Sequence, residues 1–403
     1  MVASVKTLLA VATTASAAIL ELPLAIKNSY PSVQLEVGTP PKEHRLTVDT
    51  GSASAFIINT DCTEVSCPDG SKPYYIRQPY NASASSSAVD MHIPAAIPYL
   101  GGKVAGGTFG DVFGDPASDV KWNQTFLSVN QSSFRFNTAD GFLGLGFATI
   151  AEKNTTPVVE TLMQNGLLDA PRFSFFFGTN QGENATQDGV LTIGGSDEEK
   201  YADGPIIYTP LRKDKEYQLW RAPLRSVNVL VARNPSDPNS TVEIHNGRLP
   251  TTSSPKGTFP SANVTWPMFT SGSAIFDTGA GGLSLPKGIL PGIYYNLGWN
   301  YTKLISHEER IECRHLNASW AITLTLGQGA VEDDVSFSVR GDEFVSSGCM
   351  PPFDSVDGSL ALVGMSFLRR HYSIFDFGSN KVETYAPRIG FGRLKKAYDY
   401  MYQ

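Results

Sequence analysis

The sequence predicts an all-β protein built from two similar packed lobes, with a few short helices. Three observations carry this. The chain has 403 residues, more than one hydrophobic core ordinarily serves, so at least two lobes are expected. Glycine (37) and proline (26) are plentiful and only 18% of residues are charged, a composition of tight turns and short strands. The triplet Asp-Thr-Gly also occurs twice, as Asp49-Thr50-Gly51 and Asp277-Thr278-Gly279, 228 residues apart (277 − 49). Each copy closes an apolar, strand-like run and is followed by small residues, as a duplicated lobe requires.

The elements follow in chain order. A basic start at Lys6, an apolar stretch over 7–12 and the small residues Ala15-Ser16-Ala17 make 1–17 a signal peptide. That stretch is too short to cross a bilayer. No second run of spanning length follows, and the polar end is no lipid-anchor signal, so a secreted protein without a membrane anchor is expected. An acidic endomembrane compartment such as the vacuole is the other destination. Alternating or β-branched runs read as strands over 32–37, 45–48, 55–58, 191–193, 274–276, 321–326 and 335–339. A helix is expected over 157–165, closed by Gly166 in a left-handed cap, and another within 286–297. The patches 81–88 and 234–256 read as exposed loops. The N-terminal lobe is then 18–205 and the C-terminal lobe 206–403.

A second internal echo supports duplication. Asp140-Gly141-Phe142-Leu143-Gly144 begins 91 residues after Asp49 (140 − 49), and Leu360-Ala361-Leu362-Val363-Gly364 begins 83 after Asp277 (360 − 277). Each sets two apolar residues before a glycine, which lets a neighbouring backbone come close. One such segment is an ordinary core strand. At similar offsets from both triplets, the pair reads as a strand bracing each Asp loop.

A net charge of −7 leaves no basic stripe for nucleic acid and suits acidic surroundings. Four cysteines allow three pairings. Proximity and the lobe division favour Cys62–Cys67 and Cys313–Cys349. A zinc site would want CxxC spacing, which is missing. Nine N-x-S/T sequons fit a glycosylated secreted protein. No HExxH, GxSxG or GxxxxGK[ST] pattern occurs, so neither a metal nor a cofactor is expected. Two carboxylates brought to one site can instead share a proton, one acting as base and the other as acid. That chemistry activates a water against an amide.

These residues resemble the pepsin-like aspartic proteases (peptidase family A1) over nearly all the chain after residue 17. Gly38-Thr39-Pro40 is similar to the turn that feeds the family's first catalytic loop. Ile97-Pro98-Tyr99-Leu100-Gly101-Gly102 is similar to its flap hairpin, and Phe367-Leu368-Arg369 through Phe375-Asp376 to its late C-terminal segment. The resemblance implies a bilobed fold with a substrate cleft between the lobes. Asp49 and Asp277 would be the catalytic pair on its floor and Tyr99 the flap tyrosine. Thr50 and Thr278 would hydrogen-bond across the pair. Gly51 and Gly279 would offer backbone N–H groups to the carboxylates, and Ser52 a hydroxyl to Asp49. The expected protein is a monomeric endopeptidase acting on protein or peptide substrates with an acidic optimum.

Two departures stand out. Phe56 occupies a place where many relatives carry a tryptophan that steadies the flap tyrosine. Ala280 follows the second triplet where two-lobed relatives usually have Thr or Ser, so Asp277 lacks a hydroxyl partner and its proton affinity should rise. Cleavage after Ala17 would also leave no room for the inhibitory propeptide many relatives carry. The rival class is a catalytically weak binding or inhibitor protein. Such members commonly lose a dyad residue or the flap tyrosine, and this chain keeps all three.

Overall fold

The computed structural model describes residues 18–27, 29–68, 76–134, 139–179, 189–232, 242–245, 264–265, 272–344 and 350–399. The expected signal peptide lies outside them. Among the described residues the fold is all-β, with short helices only, arranged as a 13-stranded and a 9-stranded sheet. The first sheet carries the Asp49 loop and the second the Asp277 loop. Strands from both sides of residue 205 share the larger sheet, since Arg172–Phe176 pairs with His371–Asp376, which pairs with Arg388–Arg393.

Strand Tyr30–Val37 turns through Gly38, whose φ of +92° favours glycine, into Lys42–Asp49. The last four residues of Lys42–Asp49 are all buried, as in a strand covered on both faces. Its end is held by a parallel strand, Gly141–Gly144, with Asp49 opposite Gly144. The second half repeats the device: Ser273–Phe276 lies parallel to Leu360–Val363, with Phe276 opposite Val363. Gly144 and Gly364 are the echo glycines. A Cβ on Gly144 would strike the Ala53 backbone, and one on Gly364 the carbonyl of Ala280. Only glycine lets each bracing strand reach its Asp loop.

The other expected strands are present, as Phe56–Ile58, Gly189–Ile193, Trp320–Leu326 and Val335–Arg340. Helix Val158–Gln164 ends before Gly166 at φ +66°. The second helix runs Leu290–Asn296, inside the expected 286–297, after Pro286 ends the strand Leu283–Pro286. Within the stretch read as a loop over 234–256, Val242–His245 forms a strand paired with Arg221–Ala232. The partner strand's hydrogen bonds override its turn-rich surroundings.

Trp220, fully buried, joins the halves of the core. Its indole N–H donates to the carbonyl of Leu145 at 2.8 Å, and its ring meets Phe147, Phe173, Phe375 and Phe377. Cys62 and Cys67 form a disulfide with Cα atoms 5.6 Å apart. Cys313 is disulfide-bonded as well, while Cys349, its expected partner, lies outside the described residues. No described helix is long and apolar enough to cross a membrane.

Candidate active site

The two Asp loops meet through a reciprocal clasp of threonines. The Thr50 hydroxyl accepts from the N–H of Thr278 at 2.9 Å and donates to the carbonyl of Phe276 at 2.7 Å. The Thr278 hydroxyl accepts from the N–H of Thr50 at 3.1 Å and donates to the carbonyl of Val48 at 2.7 Å. Both threonines are fully buried, so the four bonds are shielded from water and fix one loop against the other.

Behind that clasp the carboxylates come together. The Gly51 N–H donates to Asp49 Oδ1 at 2.9 Å and the Gly279 N–H to Asp277 Oδ1 at 2.7 Å. Each glycine also leaves room for the opposite carboxyl. A Cβ on Gly51 would lie 2.5 Å from Asp277 Cγ, and one on Gly279 would lie 2.5 Å from Asp49 Oδ1. The symmetry breaks one residue later. Ser52 Oγ donates to Asp49 Oδ2 at 2.5 Å, whereas Ala280 has no hydroxyl to offer Asp277.

This asymmetry separates the two proton affinities. Burial raises the Asp49 pKa, but the hydrogen bonds of Ser52, Asp277 and Gly51 pull it back. Asp277 is pushed well above the ordinary carboxylate range by burial and then by the charge of Asp49 and the hydrogen bond to it, and the two glycine N–H groups oppose this. Both carboxyls are thus held above the ordinary carboxylate range, Asp277 the more strongly.

A cleft of about 1040 Å³ opens above the pair. Its roof is the hairpin of Val89–Tyr99 and Gly102–Gly114, closed by Leu100 and Gly101. Val89–Tyr99 lies at the edge of its sheet, so Pro94 and Pro98 are tolerated there without an N–H to donate. Leu100, at the tip, is 93% exposed. Tyr99 points into the cleft against Phe56, Phe134 and Phe142, with ring centroids 6.0, 5.5 and 5.5 Å away. Its hydroxyl is buried near Ser52 without a well-formed hydrogen bond. Burial and the charge of Asp49 push that phenol far above its ordinary pKa.

Asp49, Asp277, Gly51, Gly279, Ser52 and Tyr99, singled out in the sequence, thus line one cleft, while Thr50 and Thr278, fully buried, support the two Asp loops through the clasp. Sequence reasoning missed Phe134, Tyr30 and Glu152, which also line it. Phe142 was legible inside the Asp140–Gly146 echo, but no motif marks the others. No described group of three or more His, Cys, Asp or Glu could hold a metal ion.

A floor of two buried carboxyls on clasped Asp-Thr-Gly loops, under a hairpin roof, defines the class of the aspartic proteases. Residues 30–237 and 258–386 match the family model described as eukaryotic aspartyl protease. The chain is 26% identical over 367 residues to a probable vacuolar protease A of Trichophyton verrucosum, covering 87% of this chain and 76% of the relative. It is 26% identical over 366 residues to a vacuolar aspartic protease of Candida albicans (88% and 74%), and 24% identical over 368 residues to cathepsin D of Canis lupus familiaris (87% and 78%). The chain belongs to the eukaryotic aspartyl protease family and is an aspartic-type endopeptidase.

Proposed function

We propose that Asp49 and Asp277 cleave peptide bonds of proteins lying in the cleft, through a water held between the two carboxyls. Asp49, kept ionised by Ser52 and Gly51, draws a proton from the water. Asp277, protonated, polarises the scissile carbonyl and later helps the amine depart. Thr50 and Thr278 hold the carboxyls in register, and Tyr99 closes the roof over the peptide. The observation that carries this reading is the unequal pair: one carboxyl with a hydroxyl partner, the other without, joined across a buried threonine clasp. The lobes are taken as 18–205 and 206–403, behind a signal peptide at 1–17.

The setting is acidic. A pair with one carboxyl protonated and one ionised exists only between its two macroscopic constants, and fungal relatives carry the word vacuolar in their names. Entry to the secretory route, then delivery to a vacuole or to the exterior, fits the Cys62–Cys67 disulfide. Hydrolysis of a denatured protein should be measured across the acid to neutral range, with and without pepstatin. Acid-limited, pepstatin-blocked cleavage is expected. Binding of denatured protein without cleavage at any pH would favour the inhibitor-like alternative.

A further inference from the structure

The cleft holds one charged side chain that the dyad chemistry leaves unused. Of the described residues lining it, only Asp49, Asp277 and Glu152 bear an ionisable acid or base of the Asp, Glu, Lys, Arg or His kind, and all three are carboxyls. The Glu152 backbone is firmly pinned. Its N–H donates to Ser54 Oγ at 2.7 Å, and its carbonyl accepts from the N–H of Thr155 at 2.9 Å and from Thr155 Oγ1 at 2.8 Å. Ser54 and Thr155 are buried and bonded to each other at 2.9 Å. Ser54 lies three residues beyond Gly51, so this anchor is tied to the Asp49 loop itself. The half-buried Glu152 carboxylate, by contrast, has no hydrogen-bond or ion-pair partner among the described residues.

An unpartnered acidic side chain on a pinned backbone, in a cleft wall without a cation, draws positive charge from whatever fills the cleft. Occupation by a peptide also displaces water and strengthens that attraction. We propose that Glu152 selects substrates with a lysine or arginine at one fixed offset from the scissile bond. The offset is fixed because an extended peptide advances about 3.3–3.6 Å per residue while Glu152 and Asp49 share one rigid wall. The inference rests on the proteolytic reading of this cleft and adds a substrate class to it.

The test is a digest of a mixed peptide library, with cleavage sites identified by mass spectrometry at the upper end of the active pH range. Wild type, Glu152→Gln and Glu152→Lys are compared, with Asp49→Asn as the inactive control. Wild type should favour Lys or Arg roughly fivefold at one offset, the scale of a partly exposed ion pair. Glu152→Gln should still cleave, with that preference flattened, and Glu152→Lys should disfavour Lys and Arg there. Cleavage by wild type with no cationic preference at any offset overturns the inference alone, as does a preference that survives in Glu152→Gln. If wild type cleaves no more than Asp49→Asn, the proteolytic reading falls too, and the two failures are told apart.

Discussion

Thr50 and Thr278 each hold the other's backbone, the hydroxyl of one accepting the N–H of the other at 2.9 and 3.1 Å. Each hydroxyl also donates to a carbonyl that directly precedes the opposite aspartate in the first loop or the second, Phe276 and Val48. The spacing of the two carboxyls is therefore set by buried hydroxyls rather than by the carboxyls, which would repel if both were ionised.

Removing one of those hydroxyls should cost more than one hydrogen bond. Thr278→Val keeps the shape but leaves the Thr50 N–H and the Val48 carbonyl buried without partners. Unpaired buried groups cost about 1–3 kcal/mol each, so a loss of about 2–4 kcal/mol is expected. Thr278→Ser keeps the hydroxyl and should lose much less. Urea unfolding of the three proteins checks this. Equal stability of the valine and serine variants would show that the clasp contributes little.

Tyr99 gives the opposite expectation. Its ring packs against Phe56, Phe134 and Phe142, yet its buried hydroxyl lacks a well-formed partner. Tyr99→Phe should leave the unfolding midpoint within about 0.5 kcal/mol of wild type, or raise it, because an unpaired hydroxyl leaves the interior. Tyr99→Ala, which removes the ring, should destabilise the roof. A fall in kcat/KM for Tyr99→Phe at unchanged stability would place the hydroxyl on the bound peptide. Marked destabilisation by Tyr99→Phe would mean that the phenol has a structural partner.

How much of this was readable in the sequence depends on whether a residue's role is local. The Asp loops, their bracing glycines and the helix cap at Gly166 are local backbone demands, and short patterns record them. The expected strands were found because alternating apolar residues fill a sheet face wherever that sheet lies. The strand Val242–His245 was not read, since its pairing with Arg221–Ala232 is a tertiary bond between segments with no shared pattern. Glu152 and Phe134 were invisible for the same reason. A carboxylate in a turn reads as solvated until the cleft beside it is seen. The asymmetry between Ser52 and Ala280 was legible, because it lies at one position in two copies of a single motif.

Loss of Asp277 should change activity and stability in opposite directions. Asp277→Asn removes the acid of the pair and should lower kcat by a factor of at least ~10². The folded-state pKa of Asp277 is raised, so its contribution to stability is full below the unfolded value of about 3.9. That contribution is lost as pH rises toward the folded value. The variant escapes this loss, so from about pH 4 upward its unfolding midpoint should gain on that of wild type. Unfolding measured at several pH values tests the sign. A variant that loses ground as pH rises would contradict a protonated Asp277, and one that retains more than a few per cent of the activity would remove Asp277 from the chemistry.

The missing hydroxyl at Ala280 should be visible in the pH–rate profile. Activity needs one carboxyl of the pair ionised and the other protonated, so it should trace a bell with the pair's two macroscopic constants as limbs. The alkaline limb belongs to loss of the shared proton, which the proposed mechanism assigns to Asp277. Ser52 shows what a hydroxyl at this position does, donating to Asp49 at 2.5 Å and pulling its pKa down. Ala280→Thr places a hydroxyl at the equivalent point of the second loop. Donated to Asp277, that hydroxyl favours the ionised form and lowers the constant. The alkaline limb should therefore move to lower pH and the bell narrow from that side, while the acidic limb, set by Asp49 and Ser52, stays nearly fixed. Profiles of kcat/KM for wild type and Ala280→Thr on one peptide measure both limbs. An alkaline limb that stays in place or moves upward would mean that the Asp277 proton is held by burial and by the charge of Asp49 alone, with no part played by the absent hydroxyl.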